Sequence, residues 1–380
     1  MMNPAYRSVT IFTTGPPAAS AKRMVEHPLV ATVIPVWQEV DHLERCLASF
    51  IAQDWPADRH LIQVVDGGSS DGTRDIVKRL AAESEAAGGP RVVLLDNPDR
   101  FVPHARNQSL ASLPDEVELV LEMIGHVWVP VNHLSQRVAD LLDLESESKK
   151  EGQRLAGIGT LVRESDENLG LVGRWVEATL QNPLASGRGQ FAQFRGRERT
   201  HVPPFTLYRR GALDEVGGWD ERFITTQDSE LNHRLEQSGW ELWRSDVSYC
   251  RMAKRTTMGG WLKFGHRYGF WRMKHLRLAP SRASLLEFLP WIGLLTTLFL
   301  CCTGLKFTGL GLTDVPIWLI PPLTYAVVLA LHGLFESITR QQPTLLLGMP
   351  LMLFLLHVTF SVGLLDGLIR KGRAPKDRVN

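Results

Sequence analysis

Cysteine is scarce in this chain of 380 residues, and what there is has no pattern. Cys46, Cys250, Cys301 and Cys302 show neither a CxxC spacing nor any other metal-ligand spacing, which excludes a zinc ribbon or a disulfide framework. Their simplest setting is a reduced one, with the soluble part facing a cytosol. Net charge is also nearly missing: 42 Lys and Arg against 41 Asp and Glu leave +1, so any electrostatic bias must come from where the charges lie. Residues 1–28 lack an apolar segment long enough for a secretory signal and are rich in Pro, Gly, Ala and Ser, so they are expected to be disordered. Acidic residues are absent between Arg251 and Arg282. That stretch is a basic, aromatic one.

What is present begins at Leu29. Residues 29–36 read as a buried strand and residues 40–52 as a helix with apolar residues at helical spacing. A second strand, Leu61 to Val65, breaks at Asp66 into Gly-Gly-Ser-Ser-Asp-Gly and restarts at Thr73 as an amphipathic helix. An acid at the carboxyl end of a strand, then glycines and a helix start, is the layout of a nucleotide site in an open α/β sheet. The plainer alternative is a βα turn in which Asp71 caps the helix. A third strand at 91–95 completes a β-α-β-α-β beginning, which implies a mostly parallel sheet with right-handed crossovers. Residues 118–129 read as one fourth strand, 130–144 as a helix and 145–151 as a solvated charge run. Residues 156–162 read as a strand, and 163–199 as a long active-site loop with a short helix near 171–180. A helix over 227–239 and a strand from Trp240 follow.

Lys254, Arg255, Lys263, Arg267, Arg272, Lys274, Arg277 and Arg282 alternate with Trp261, Phe264, Tyr268, Phe270 and Trp271. A nucleic-acid surface would have this composition, but three long apolar runs follow at 285–305, 315–335 and 345–369, each near the length that crosses hydrocarbon. The basic segment therefore reads as a cytoplasmic membrane-surface segment, and no nucleic-acid partner is expected. Three crossings would put the basic end 370–378 outside, against the positive-inside tendency. Two crossings would keep both ends inside, and the first run, with Glu287 and Pro290 near its start, is the candidate for an interfacial or re-entrant piece.

Several ordered motifs resemble those of family 2 glycosyltransferases. They are Val33-Ile-Pro-Val-Trp-Gln-Glu39, Val65-Asp-Gly-Gly-Ser-Ser-Asp-Gly-Thr73 and Asn97-Pro-Asp-Arg-Phe-Val-Pro-His-Ala-Arg-Asn107. Pro204 to Arg210, Gly217 to Arg222, Gln227 to Arg234 and Arg267 to Arg272 are similar to the bacterial exopolysaccharide branch, which includes succinoglycan-type glucosyltransferases with a membrane tail. The resemblance implies a GT-A (Rossmann-like) α/β domain over 29–250, a juxtamembrane segment over 251–284, transmembrane helices within 285–369 and a basic tail over 370–380. It implies an inverting transferase in the cell inner (plasma) membrane, multi-pass, with its catalytic domain cytoplasmic. This enzyme would move a sugar from a nucleotide sugar, a UDP-sugar by preference, to a lipid-linked or glycan acceptor. In that reading Asp66 hydrogen-bonds the base, and Pro35, Val36 and Glu39 line the nucleotide pocket. Arg106 and Asn107 lie near the donor, Arg267, Arg272 or Lys263 reaches the diphosphate, and Asp228 is the general base, with a helix N-cap as its plainer role.

Two positions depart from the pattern. The family holds Mg²⁺ or Mn²⁺ with an Asp-x-Asp or Asp-x-His pair, and here the first Asp is Ile124, which offers no ligand. His126 remains, and strand alternation would put Glu122 on its face as a displaced ligand, though a salt bridge or simple burial suits Glu122 better. In the Gln-x-x-Arg-Trp-like element Arg267 is present but Phe264 stands where Gln is expected. These departures open two alternatives: a weakened GT-A domain serving as an accessory sugar-nucleotide- or partner-binding protein, and a metal-independent transferase that neutralises the leaving group with Arg and Lys.

Overall fold

The computed structural model describes residues 27–187, 189–307 and 315–371, so the expected disorder of the first residues and the tail beyond Lys371 lie outside the described residues. In chain order the elements are β1 (Leu29–Val36), α1 (Leu43–Ile51), β2 (His60–Asp66), α2 (Thr73–Ala86), β3 (Arg91–Asp96), α3 (Val102–Ser112) and β4 (Val117–Glu122). Then come β5 (Val127–Trp128), α4 (His133–Lys150), β6 (Arg154–Arg163), α5 (Leu171–Gln181), α6 (Pro183–Ser186), β7 (Arg197–Arg199) and β8 (Leu207–Arg209). The remainder is α7 (Arg210–Val216), α8 (Gln227–Gln237), β9 (Trp240–Met252), α9 (Met258–Leu278), α10 (Leu285–Thr303), α11 (Ile320–Thr339) and α12 (Leu345–Ile369).

One sheet runs β3-β2-β1-β4-β8-β6-β9-β5, with β7 on β9. β3, β2, β1 and β4 are mutually parallel, as are β6 and β9. The pairings through β8 are antiparallel. The mostly parallel α/β fold is thus the one expected. β1 is buried on both faces, as a central parallel strand must be. Its Val30, Ile34 and Val36 face a core shared with α1, α2 and α4. Ala31 and Val33 face a second core with α3, α7 and α8. Val36 pairs with Asp66, and Asp66 with Asp96, so the strand ends that carry the loops of interest share one sheet edge.

Three expectations change. The fourth strand is not continuous to Val129: it ends at Glu122, and Val127–Trp128 is a separate strand antiparallel to β9. Between them the chain turns at Gly125, packed so tightly on Val36 and Glu39 that a Cβ there would come within 2.9 Å of the Val36 side chain. The 145–151 charge run is mostly helix, because α4 continues to Lys150 with Glu145 pairing Lys149 and Arg209 on its flank. Residues 163–199 do not form a loop over the cleft described below; α5 and α6 pack instead against α12.

Three helical stretches, Leu285–Thr303, Ile317–Thr339 and Leu345–Ile369, are long and apolar enough to cross a membrane. The basic aromatic segment forms α9, capped by Thr257 accepting a hydrogen bond from the Gly260 amide. Trp261 and Phe264 of α9 bury in the same core as α1 and α4, and Met352 and Leu356 of α12 join them there. The segment is thus a packed helix with one exposed basic face, not only a surface strip.

Candidate active site

A cleft of about 720 Å³ opens at the carboxyl edge of β1 and β2, large enough for a nucleotide sugar. Its sheet-side wall is Pro35, Val36, Trp37 and Glu39 from the loop after β1, with Val65 from β2. Asn97, Arg100, Phe101 and Val102 close one flank, and Ile124 with His126 form the floor. Ile224 and Thr225 precede α8. His266, Arg267, Phe270 and Trp271 of α9 and Asp366, Arg370 and Lys371 at the end of α12 make the far wall. Four Lys or Arg (Arg100, Arg267, Arg370, Lys371) face two carboxylates (Glu39, Asp366), so the cleft is biased toward anions.

The loops after β1 and β2 are laced together. The Gln38 and Glu39 amides donate to the side chains of Ser69 (2.9 Å) and Thr73 (2.9 Å), and Ser70 N donates to Gln38 Oε1 at 2.8 Å. Asp71 accepts from Thr73 N (3.0 Å), Thr73 Oγ1 (2.6 Å) and Val40 N (3.1 Å), so it ties the helix start to the neighbouring loop, close to the capping role weighed for it. Asp66 is buried at the end of β2 beside lining residue Val65. It accepts from Gly68 N at 3.1 Å and Ser69 N at 3.0 Å and pairs with Arg74 at 2.9 Å. Its oxygens hold the turn, and a base edge would have to share them.

Arg106 is buried and bridges two carboxylates, pairing with Glu122 at 3.2 Å and donating a hydrogen bond to Asp228. Burial lowers its pKa, but Asp228 and Glu122 outweigh that and raise it. Burial pushes Glu122 up to about 8, helped by nearby Asp228 and opposed by Arg106. Glu122 also accepts from the Thr206 amide at 3.3 Å. Its place is therefore behind Arg106, not beside His126, because the alternation that would align Glu122, Ile124 and His126 ends with β4. Asp228 lies in the first turn of α8 with its side chain partly exposed; Thr226 is the N-cap, and the Asp228 side chain caps nothing. Asn107 does not line the cleft: it accepts from Trp219 N (2.8 Å) and donates to Trp219 O (2.8 Å) and Glu221 (3.0 Å), pinning the turn after α7. Trp37 and Phe101, within two of the family-like motifs, also line the cleft; His266 and the end of α12 do so without any pattern in the sequence to mark them, since they arrive only through tertiary packing.

A Mg²⁺ or Mn²⁺ ion arriving with a donor diphosphate would find few protein ligands. Ile124 faces the cleft where a carboxylate is needed, Glu122 is taken by Arg106, and His126 Nδ1 lies 2.8 Å from Glu39 Oε1. Among the described residues no group of three or more His, Cys, Asp or Glu is placed to hold a metal. The donor set does not fit a hard cation held by the protein.

Residues 32–145 match the family described as Glycosyl transferase family 2. Over 274 residues the chain is 28% identical to the succinoglycan biosynthesis protein ExoA of Rhizobium meliloti (strain 1021), covering 68% of this chain and 73% of that one. Over 342 residues it is 22% identical to a dolichyl N-acetyl-α-D-glucosaminyl phosphate 3-β-D-2,3-diacetamido-2,3-dideoxy-β-D-glucuronosyltransferase of Methanococcus voltae, covering 90% of this chain and 97% of that one. The solved mannosyltransferase PcManGT from Pyrobaculum calidifontis, in complex with GDP-Man and Mn²⁺, shares the fold with a TM-score of 0.54 at 15% identity, covering 91% of this chain and 88% of that one. Residues 32–145 thus carry a family 2 glycosyltransferase domain, and the chain shares the GT-A fold of the solved mannosyltransferase.

Proposed function

We propose that the protein transfers a sugar, with inversion, from a UDP-sugar to a lipid-linked or glycan acceptor at the inner face of a plasma membrane. The observation that carries this is the cleft itself: the loop residues expected at a nucleotide (Pro35, Val36, Glu39) and Arg267 expected at a diphosphate line one cavity, though 228 positions separate Glu39 from Arg267. In this reading the acceptor oxygen attacks the anomeric carbon, the bond to the diphosphate breaks on the opposite face, and the acceptor proton passes to Asp228. Arg106 holds that carboxylate in place. Arg267 and Arg100, with Arg370 and Lys371 behind them, neutralise the departing diphosphate. Asp66 supports the base-binding loop, and Glu39 with His126 borders the diphosphate end. Relatives that act on dolichyl phosphate-linked sugar or in succinoglycan synthesis favour a lipid-linked or polysaccharide acceptor.

The test is nucleoside diphosphate release by the detergent-purified chain from a panel of sugar nucleotides, with lipid-linked and glycan acceptors. Acceptor-dependent release of UDP supports the proposal. Ile124 in the floor of the cleft favours one competing reading, an accessory domain that binds without transferring. Donor binding with no release across the panel would establish that reading instead.

A further inference from the structure

We infer that α12, despite its 25 apolar-rich residues, does not cross the bilayer. It lies along the catalytic domain, in the plane of the membrane, and its outer stripe contacts lipid. Both its ends are fastened to one body. At the start, the Trp175 indole donates to Thr344 at 3.3 Å, Gly348 packs on the Trp175 ring, and Arg340 in the preceding turn pairs with Glu164 and donates to Gln181 at 3.0 Å. At the end, Asp366 pairs with His266 at 3.1 Å, Lys274 donates to the Arg370 carbonyl, and Asp366, Arg370 and Lys371 wall the cleft. A helix of 25 residues is roughly 37 Å long, so the domain accompanies it for its whole length.

What lies between is α9, parallel to α12. The Trp261 indole donates to the Met352 carbonyl at 3.0 Å. Further along, Gly265 faces Thr359, Gly269 faces Phe360 and Gly367 faces Phe270. If α12 crossed, α9 would enter the hydrocarbon beside it, carrying exposed Lys263 and Arg267 and the open mouth of a polar cleft. Cations there are strongly unfavourable. The other face of α12 shows what it meets. Leu347, Leu351, Phe354, Val358, Val362 and Leu365 form one exposed stripe at helical spacing. α10 and α11 expose apolar side chains as well, as suits helices that meet lipid. The occupant is the boundary between headgroups and acyl chains. The first apolar run, α10, for which Glu287 and Pro290 suggest an interfacial placement, is tied at its start by Glu287 to Arg272 at 2.7 Å, and α11 packs antiparallel on α12, with Gly333 against Pro350 and Tyr325 hydrogen-bonded to His357 at 2.7 Å.

The inference holds whatever the donor and acceptor are, and its test does not read turnover. The full chain carrying Cys301→Ser and Cys302→Ser, with Leu347→Cys, Val358→Cys or Leu365→Cys added singly, is spin-labelled and reconstituted in phosphatidylethanolamine–phosphatidylglycerol liposomes. Nitroxide depth is read from oxygen against a water-soluble nickel chelate. The expected result is one shallow depth for all three, about 5–10 Å. A Val358 label near the midplane, about 15 Å deep, with the other two shallow, would mean a crossing helix and overturn the inference. Nickel access at all three without oxygen access would remove lipid as the partner and overturn it too. In the same liposomes a membrane-impermeant maleimide should label Gln341→Cys and Lys371→Cys from the side that labels Glu85→Cys, and labelling of the two from opposite sides would overturn it.

Discussion

Arg106 joins the two carboxylates that matter most. Its partner Asp228 is partly exposed at the start of α8, while its partner Glu122 is buried. Replacing Asp228 by Asn removes the proposed proton acceptor but keeps shape and a hydrogen-bond acceptor for Arg106. Turnover should fall by about 10²-fold or more, with sugar-nucleotide affinity, measured by calorimetry, changed little; normal turnover would end the assignment. Glu122 has a separate signature. Its pKa rises from 4.5 to about 8 on folding, chiefly through burial. Between those values the native state keeps a proton that the unfolded chain has lost, so this group stabilises the protein below about pH 4.5 and loses that contribution as pH rises through about 8. Glu122→Gln keeps the acceptor for Thr206 N and cannot ionise. Its melting temperature should therefore decline less between pH 5.5 and 8.5 than that of the unsubstituted protein, and parallel declines in scanning fluorimetry would refute the buried-acid account.

Helix packing is decided by the contact between α9 and α12. It depends on glycines on both sides: a Cβ at Gly269 would meet the Phe360 carbonyl oxygen, and one at Gly363 would meet that of His266. This is the small-residue approach that lets helix backbones touch. Gly269→Val should cost roughly 1–3 kcal/mol through overpacking, lower the melting temperature in detergent, and reduce turnover because α9 carries Arg267 into the cleft. Gly293→Val in α10 meets nothing within 4 Å and serves as the matched control. Equal effects of the two would show that helix propensity, not the interface, is being measured. The same contact bears on the membrane: near the centre of a spanning helix each Lys or Arg costs about 2.5–3.5 kcal/mol, and α9 carries five of them.

At the scale of the whole molecule, the cleft draws on loops after β1, β3 and β4, on the approach to α8, and on α9 and α12. Positive charge comes from three of these places, which makes the cleft rich in Arg and Lys and poor in carboxylates. Arg267→Gln should weaken donor binding about tenfold, the loss of one charge-assisted hydrogen bond, and raise KM for the sugar nucleotide more than it lowers kcat. EDTA should leave most of the turnover intact. Complete loss restored by Mn²⁺ would mean that a cation is held in a way the Ile124, His126 and Glu39 arrangement does not explain.

By itself the sequence determined the alternation of strands and helices, the parallel sheet, the glycine-rich turn after Asp66 and the three long apolar runs. Each is a local pattern: apolar periodicity, glycines after a strand, or unbroken hydrophobic length. Tertiary structure alone decided that Glu122 turns away from His126 to Arg106, because Gly125 must pack on Val36 and Glu39 and the strand breaks there. It alone decided that Asn107 pins a turn, that α5 and α6 pack against α12, and that Asp366 and Arg370 reach the cleft. It also distinguished among three runs of similar hydrophobicity, since among the described residues α12 packs along α9 and α5 and is the most buried of the three. Hydrophobic length tells what a helix tolerates, while the neighbours it packs against tell where it lies.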